Sequence, residues 1–243
     1  MSIIPPHFAA LRRFYRSMPS PCPYIPGQIE RKLFTRLDGG GADLNETLTR
    51  AGFRRSHDIV YRPVCPACQA CVPVRIPTQA FEPNRTQKRI LKRNADLMLV
   101  ERPAVASEEQ YELFAAYQKG RHAEGDMARM SFLDFRAMIQ DGSVASRVLE
   151  LRNARNDLMG AMLVDTLSDG LSAVYSFFDP AAHRRSLGTY FVLAAINLLK
   201  GREHPFLYLG YWISRSRKMA YKSGFQPLQK LGPAGWVALE PGV

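Results

Sequence analysis

The sequence predicts a mixed α/β protein in two parts: a small basic part over 1–102 and a sheet-centred part over 103–243. Three observations lead there. Apolar and polar residues alternate between tight turn signals over 147–178, the pattern of antiparallel hairpins, and helical and strand periods then alternate towards the end of the chain. Charge divides unevenly: residues 1–102 hold 17 Lys/Arg and 8 Asp/Glu, whereas residues 103–243 hold 16 and 14. All four cysteines fall in the first part. The boundary is expected in the proline-containing stretch 101–107 (ERPAVAS), just before a helix start.

Each element has its own local reason. Residues 29–37 and 72–76 read as strands, and 57–61 as extended. Asp43 is placed to cap a short helix through Ala51, which Gly52 ends. Asn84 caps a helix over 85–96. Ser107 with Gln110, and Ser131 with Asp134, have capping-box spacing and open two further helices. Strands over 147–152, 158–166 and 171–178 follow, joined by turns at 153–157 and at Ser168-Asp169-Gly170. A helix over 188–200, a strand over 206–212, a helix over 217–223 and a last strand near 225–231 complete the order.

Composition bounds the function. With 243 residues, 46% hydrophobic and 23% charged, the chain has ordinary globular usage and material for a core, which excludes a disordered chain. The longest strongly apolar stretch, 191–199, is far short of the ~20 residues a membrane span needs. The opening MSIIPPHFAALRRFYR has no apolar export segment, so a cytoplasmic protein without membrane contact is expected. A formal charge of +11 points to a polyanionic partner.

Four signals carry chemistry. Arg85, Lys88, Arg89, Lys92 and Arg93 share an arc of roughly 140° on their helix with no acid among them. Such a stripe is either a solvated face or a seat for phosphates, and it would position a nucleic-acid backbone rather than read its sequence. Cys65-x-x-Cys68-x-x-Cys71, with Cys22 upstream, could form a four-thiolate site for zinc or an iron–sulfur cluster, or remain plain buried thiols in a segment stiffened by Pro66 and Pro73. The segment from Phe178 to Tyr190 joins a strand to a helix start and carries Arg184 and Arg185, as an anion-binding loop would. Leu207-Tyr208-Leu209-Gly210-Tyr211-Trp212 is an aromatic strand, and Gly210 within it marks a bulge or a close ligand approach. No phosphate loop, nucleophile elbow or HExxH motif is present, and the five histidines show no metal spacing.

The strand–helix–strand–helix order with its loop-to-helix anion site resembles the GNAT acyltransferase fold. Arg185-Ser-Leu-Gly188 fits the first half of that fold's CoA loop, but Tyr190 fills its last small position. The stretches VYSFFDP…RRSLGTY, YLGYWI and SRKMAYKSGFQP resemble the arginyl/leucyl-tRNA–protein transferases, as do CPYIPGQ and YRPVCPACQACVPVRIP in the first part. The resemblance covers nearly the whole chain and is strongest to the bacterial, leucyl-transferring branch. It implies a GNAT-like transferase domain behind a small cysteine-containing domain. It also implies that leucine passes from leucyl-tRNA to the α-amine of proteins beginning with Asp or Glu, marking them as N-degrons. An arginyl donor, a CoA-dependent acetyltransferase and a non-catalytic RNA-binding module are the alternatives.

That chemistry requires no cofactor, because the aminoacyl ester is already activated. In the eukaryotic branch the N-terminal cysteines are linked to metal or a cluster, but here Ile25 stands where a second CxxC cysteine would be. The expected catalytic set is Tyr175, Ser176, Asp179, Arg185, Tyr190 and Lys218, with Asp179 or a tyrosine relaying the amine proton and Arg185 or Lys218 reading the acceptor carboxylate. Arg184, Gly188, Thr189, Tyr208, Gly210, Tyr211, Trp212, Ser216, Tyr221 and Lys222 complete the expected substrate cleft.

Overall fold

The computed structural model describes residues 13–37 and 41–240; His7 lies outside them. The chain opens with β1 (Tyr15–Arg16), β2 (Ser20–Pro21), β3 (Ile29–Glu30), β4 (Lys32–Arg36), α1 (Gly41–Arg50), β5 (Arg54–Ser56) and β6 (Ile59–Pro63). Then come β7 (Val72–Pro77), α2 (Arg85–Arg93), β8 (Met98–Pro103), α3 (Glu108–Arg121) and α4 (Phe132–Gln140). The rest is β9 (Ser146–Arg152), β10 (Leu158–Leu167), β11 (Gly170–Phe178), α5 (Leu187–Gly201), β12 (Phe206–Trp212), β13 (Gln229–Gly232) and β14 (Gly235–Ala238).

Three sheets result. A four-stranded antiparallel sheet has the order β1-β4-β6-β5, and β2 pairs with β3 alone. An eight-stranded mixed sheet has the order β14-β13-β7-β12-β11-β10-β9-β8, with β11 and β12 its one parallel pair. Helix α5 is the crossover between those two strands. Its apolar residues, including Phe191, Leu193 and Ile196, enter the main core with Leu207, Leu209 and Trp212 of β12. Both expected capping boxes form, at Ser107/Gln110 and Ser131/Asp134, and the expected cap Asn84 makes a third box with Gln87. No helix among the described residues is long and apolar enough to cross a membrane.

The sheets divide the chain between β6 and β7, so that β7 and β8 join the large sheet and the expected boundary at 102/103 falls within β8. Strand β8 looked like a linker because it is a polar edge; its backbone is held by β9, a partner distant in sequence. The extended stretch at 57–61 is the return of a hairpin whose turn places His57 at φ 53°. The helix expected over 217–223 is only a 3-10 turn, Ala220–Gly224, and the last strand near 225–231 is a hairpin, β13 with β14.

A buried ion pair fixes the small sheet to the large one. Arg55 of β5 donates from Nε to Oδ2 of Asp165 on β10 at 2.7 Å, and from Nη2 to Oδ1 at 2.6 Å. Ser146 donates to the same carboxylate at 2.8 Å, and Asn45 of α1 at 3.3 Å. Successive side chains on a strand point to opposite faces, so Arg54, the neighbour of Arg55, is sent the other way. Its destination defines the candidate site.

Candidate active site

Strands β11 and β12 pair only from Gly170↔Phe206 to Ser172↔Tyr208, and then diverge. Two bulges sit just past that point. Val174 is an extra residue on β11 relative to β10, and the β12–β7 register shifts between Tyr208 and Gly210. A bulge bends its strand and breaks the ladder. A wedge therefore opens between the strands, and its backbone carbonyls need other partners.

Two basic side chains supply them. Arg54 donates from Nη2 to the Val174 carbonyl at 2.5 Å. Lys222 donates from Nζ to the carbonyls of Leu209 at 2.8 Å and Tyr211 at 2.6 Å. Gly210 has φ 70°, and a Cβ there would lie 2.1 Å from Nη1 of Arg54. The close approach that its place in the strand suggested is thus made by the protein's own guanidinium.

Aromatic hydroxyls line the same region. Tyr175 accepts from Gln118 Nε2 at 2.7 Å, and burial pushes its phenol up to about 12. Tyr211 Oη lies 3.0 Å from the carbonyls of Gly52 and Tyr61, and burial raises its pKa as well. Tyr221 is half-exposed as a residue, yet desolvation raises its phenol, with Arg54 opposing and Tyr117 adding to the shift. These phenols keep their protons near neutral pH and serve as donors, not bases. The imidazole of His122 is shifted the useful way: burial, then the charges of Lys218 and Arg121, lower its pKa and hold it neutral. Its ring packs edge-on against Tyr117, 5.6 Å away, and Tyr117 packs on Phe178 at the end of β11.

Burial, with Arg54 adding, holds the Lys222 amine well below its ordinary value. The unfolded lysine titrates near ~10.4. Between the two values the unfolded state binds more protons, so this residue makes stability rise with pH through that window. Lys222→Met abolishes that rise and leaves two carbonyls without partners, at about 1–3 kcal/mol each. Its cost in urea titrations is expected to be larger at pH 10 than at pH 7. A cost that does not vary with pH would show that the buried amine is not titrating.

The expected site residues separate into two groups. Tyr175, Gly210, Tyr211, Tyr221 and Lys222 surround the wedge. Ser176 follows Tyr175 on β11, and Asp179 caps the turn Pro180–Arg185 by accepting from the Ala181 amide at 2.9 Å. Gly188 and Thr189 lie in the first turn of α5, where a Cβ on Gly188 would press on the Phe178 ring at 3.1 Å. Lys218 is exposed, within electrostatic reach of His122.

The others make their contacts away from the wedge. Arg185 donates from Nε to Asn94 Oδ1 at 2.9 Å and pairs through Nη2 with Asp96, clamping the end of α2 to the loop before α5. Its Nε and Nη2 are thus engaged within the protein. Tyr190 is buried with Oη 3.5 Å from the Leu97 carbonyl, not in the wedge. Tyr208 accepts from Arg75 at 3.1 Å and donates to Asp169 at 3.0 Å, bracing the start of β12. Trp212 is core, its indole N–H without a partner among the described residues. Ser216 is buried in a turn, its carbonyl taking the amides of Met219 and Ala220.

Sequence reasoning missed Arg54, Gln118, Tyr117 and His122. The one local signal was the pair Arg54-Arg55 on a short strand, where one arginine must face inward whichever face is buried.

Beside the site, the stripe Arg85, Lys88, Arg89, Lys92 and Arg93 is exposed, while Gln87 and Ile90 form the buried face of α2. None of the five forms an ion pair with an acid among the described residues. Arg93 instead donates to the carbonyl of Arg184, which adds another exposed cation at that surface.

The four cysteines are free thiols lining one pocket with Tyr24, Glu30, Lys32 and Tyr61. Burial, with the other three thiols adding, pushes Cys71 up to about 12, so it keeps its proton. No three His, Cys, Asp or Glu among the described residues are arranged to hold a metal ion. The zinc or iron–sulfur expectation at Cys22, Cys65, Cys68 and Cys71 therefore finds no support.

Comparisons with known proteins follow this architecture. The family model for the N terminus of arginine-tRNA-protein transferase matches residues 20–89, and the model for its C terminus matches residues 109–232. Aspartate/glutamate leucyltransferase of Paramagnetospirillum magneticum is 50% identical over 238 residues, covering 98% of this chain and 96% of that protein. The Gluconacetobacter diazotrophicus protein of the same name is 51% identical over 228 residues, covering 93% and 88%. Among solved structures, a tandem GNAT protein from the clavulanic acid biosynthesis pathway aligns with a TM-score of 0.41 at 16% identity, covering 83% of this chain and 65% of that one. With both halves matched in order and half of all residues shared with full-length relatives, the chain belongs to the arginine-tRNA-protein transferase family.

Proposed function

We propose that this enzyme transfers leucine from leucyl-tRNA to the α-amine of proteins whose first residue is Asp or Glu, in the cytoplasm, and so marks them for degradation. The observation that carries the reading is the divergence of β11 from β12, bordered by proton-holding phenols and by Arg54 and Lys222, in a chain that also carries an exposed basic helix. The printed name of relatives about 50% identical over nearly the full chain supports leucine as donor and Asp or Glu as acceptor.

The reaction needs orientation more than activation. An α-amine has a pKa of about 7.7–8.0, so a useful fraction is neutral near pH 7. It attacks the ester carbonyl; the C–N bond forms and the C–O bond to the tRNA ribose breaks. The amine proton leaves and the ribose oxygen gains one. Neutral His122 is the group suited to accept and return that proton. The Tyr175 hydroxyl, held by Gln118, and the unpaired β12-facing edge of β11 offer donors to the oxyanion. Stripe α2, with Arg184, holds the tRNA backbone.

The direct test is labelled-leucine transfer to peptides differing in their first residue. Transfer to Asp and Glu peptides without ATP or CoA is expected. Arginine transfer instead would correct the donor, and acetyl-CoA turnover would favour the acetyltransferase alternative. The tRNA role has its own test. Replacing Lys88, Arg89 and Lys92 with Ala should flatten the log–log salt dependence of tRNA binding by about one unit per lost phosphate contact. An unchanged slope would reduce the stripe to a solvated face.

A further inference from the structure

We propose that Arg54, lent to the transferase sheet by the small N-terminal sheet, is the residue that reads the side-chain carboxylate of the acceptor's first residue. This rests on the leucyl-transfer reading and names the recognition group within that site.

Arg54 is a half-buried guanidinium lodged between two splayed strands. Of its five N–H donors, one is used, on the Val174 carbonyl. Its other neighbours are Tyr24, Tyr211, Tyr221 and Lys222, on all of which its charge acts. No carboxylate among the described residues pairs with it. The nearby acid Glu30 is bound to Lys32 at 2.8 Å. A half-buried charge without a counter-ion favours capture of an anion.

The other cations near the site are committed elsewhere or too wet. Lys222 spends its donors on two carbonyls. Arg185 holds Asn94 and Asp96. Arg75 lies 3.5 Å over the Phe206 ring and bonds Gln229 and Tyr208. Arg55 is locked to Asp165. Lys218 and Arg184 are exposed, where a lone ion pair is worth little. Arg54 combines partial burial, four unspent N–H donors and a position in the wedge, and its planar guanidinium matches a carboxylate. A phosphate of the tRNA terminus is the competing anion, but phosphates are met outside the wedge by the α2 stripe.

The test compares Glu- and Gln-initiated peptides, which are isosteric and differ in charge. Wild-type enzyme is expected to favour Glu in kcat/KM. Arg54→Gln should lower kcat/KM for the Glu peptide by about 10–100-fold, through KM, the loss expected for a charged hydrogen bond. It should leave the Gln peptide and leucyl-tRNA affinity nearly unchanged, so that the preference disappears. Arg54→Lys, which keeps the charge and a donor for Val174, should restore part of the preference. If Arg54→Gln lowers both peptides equally, the residue only braces Val174 and the proposal fails. If leucyl-tRNA affinity falls while the Glu preference persists, Arg54 binds a phosphate and the proposal fails. Calorimetry of the two peptides without tRNA separates this from the parent reading: a Glu preference that Arg54→Gln removes supports the assignment even if no leucine is transferred, and that absence of transfer would sink the leucyl-transferase reading alone.

Discussion

Arg55→Met is expected to destabilise the protein by about 3–5 kcal/mol, because it leaves a buried carboxylate unpaired. Arg55 and Asp165 are 3% and 1% exposed, and both carboxylate oxygens receive guanidinium bonds. Ser146 and Asn45 remain as donors, but neither carries a charge. For a chain of this length the loss corresponds to a Tm lower by roughly 6–20 °C. The double variant Arg55→Met/Asp165→Leu should be less destabilised than Arg55→Met, since no buried charge is left alone. The effect reaches the site, because β5 carries both arginines: loosening Arg55 loosens Arg54 in the wedge. Denaturant titration of the single and double variants checks this. A cost under about 1 kcal/mol for the single variant would mean that water reaches Asp165 and the pair does not hold the two sheets together.

The fold was legible where local rules decide it. The two expected capping boxes and the expected cap at Asn84 formed, because a Ser or Asn at that position, with an amide or acid three residues on, satisfies helix N–H groups without tertiary help. The hairpin β10–β11 followed from alternation and the turn at Ser168-Asp169-Gly170. Strand β8 was not legible, since the edge of β9 and not its own residues makes it a strand. The helix expected over 217–223 gave way because Lys222 is drawn into the wedge to cover two carbonyls of β12, a demand that no local pattern contains.

The site was half legible for a similar reason. Gly210 announced itself as a glycine among aromatics, and Tyr211, Tyr221 and Lys222 came with it. Arg185 looked free because sequence shows a charge beside a helix start but not Asn94 and Asp96 waiting 89–91 positions upstream. Arg54 reached the wedge through the small sheet, 120 residues before its partner Val174. Spacing within a motif cannot reveal such a meeting; the topology of two packed sheets makes it.

Gly210→Ala is expected to leave the protein folded and to lower transfer to Glu-initiated peptides by about 10–100-fold, the loss expected when the charged hydrogen bond from Arg54 to the acceptor is broken. An alanine at φ 70° is strained by about 1–2 kcal/mol. Its Cβ would fall 2.1 Å from Nη1 and 2.9 Å from Cζ of Arg54. Both atoms belong to the far end of a flexible side chain, so the guanidinium moves and the backbone stays. The fold then bears little beyond the strain, while the wedge loses its cation. Arg54→Ala alone removes that cation without strain, and Gly210→Ala/Arg54→Ala has room for the new methyl. The double variant should therefore be no less active than Gly210→Ala, and the steric part of the stability loss should vanish. Melting temperatures and kcat/KM with Glu- and Gln-initiated peptides measure both halves. Wild-type rate and Glu preference in Gly210→Ala would show that the position of Arg54 in the wedge does not matter to transfer.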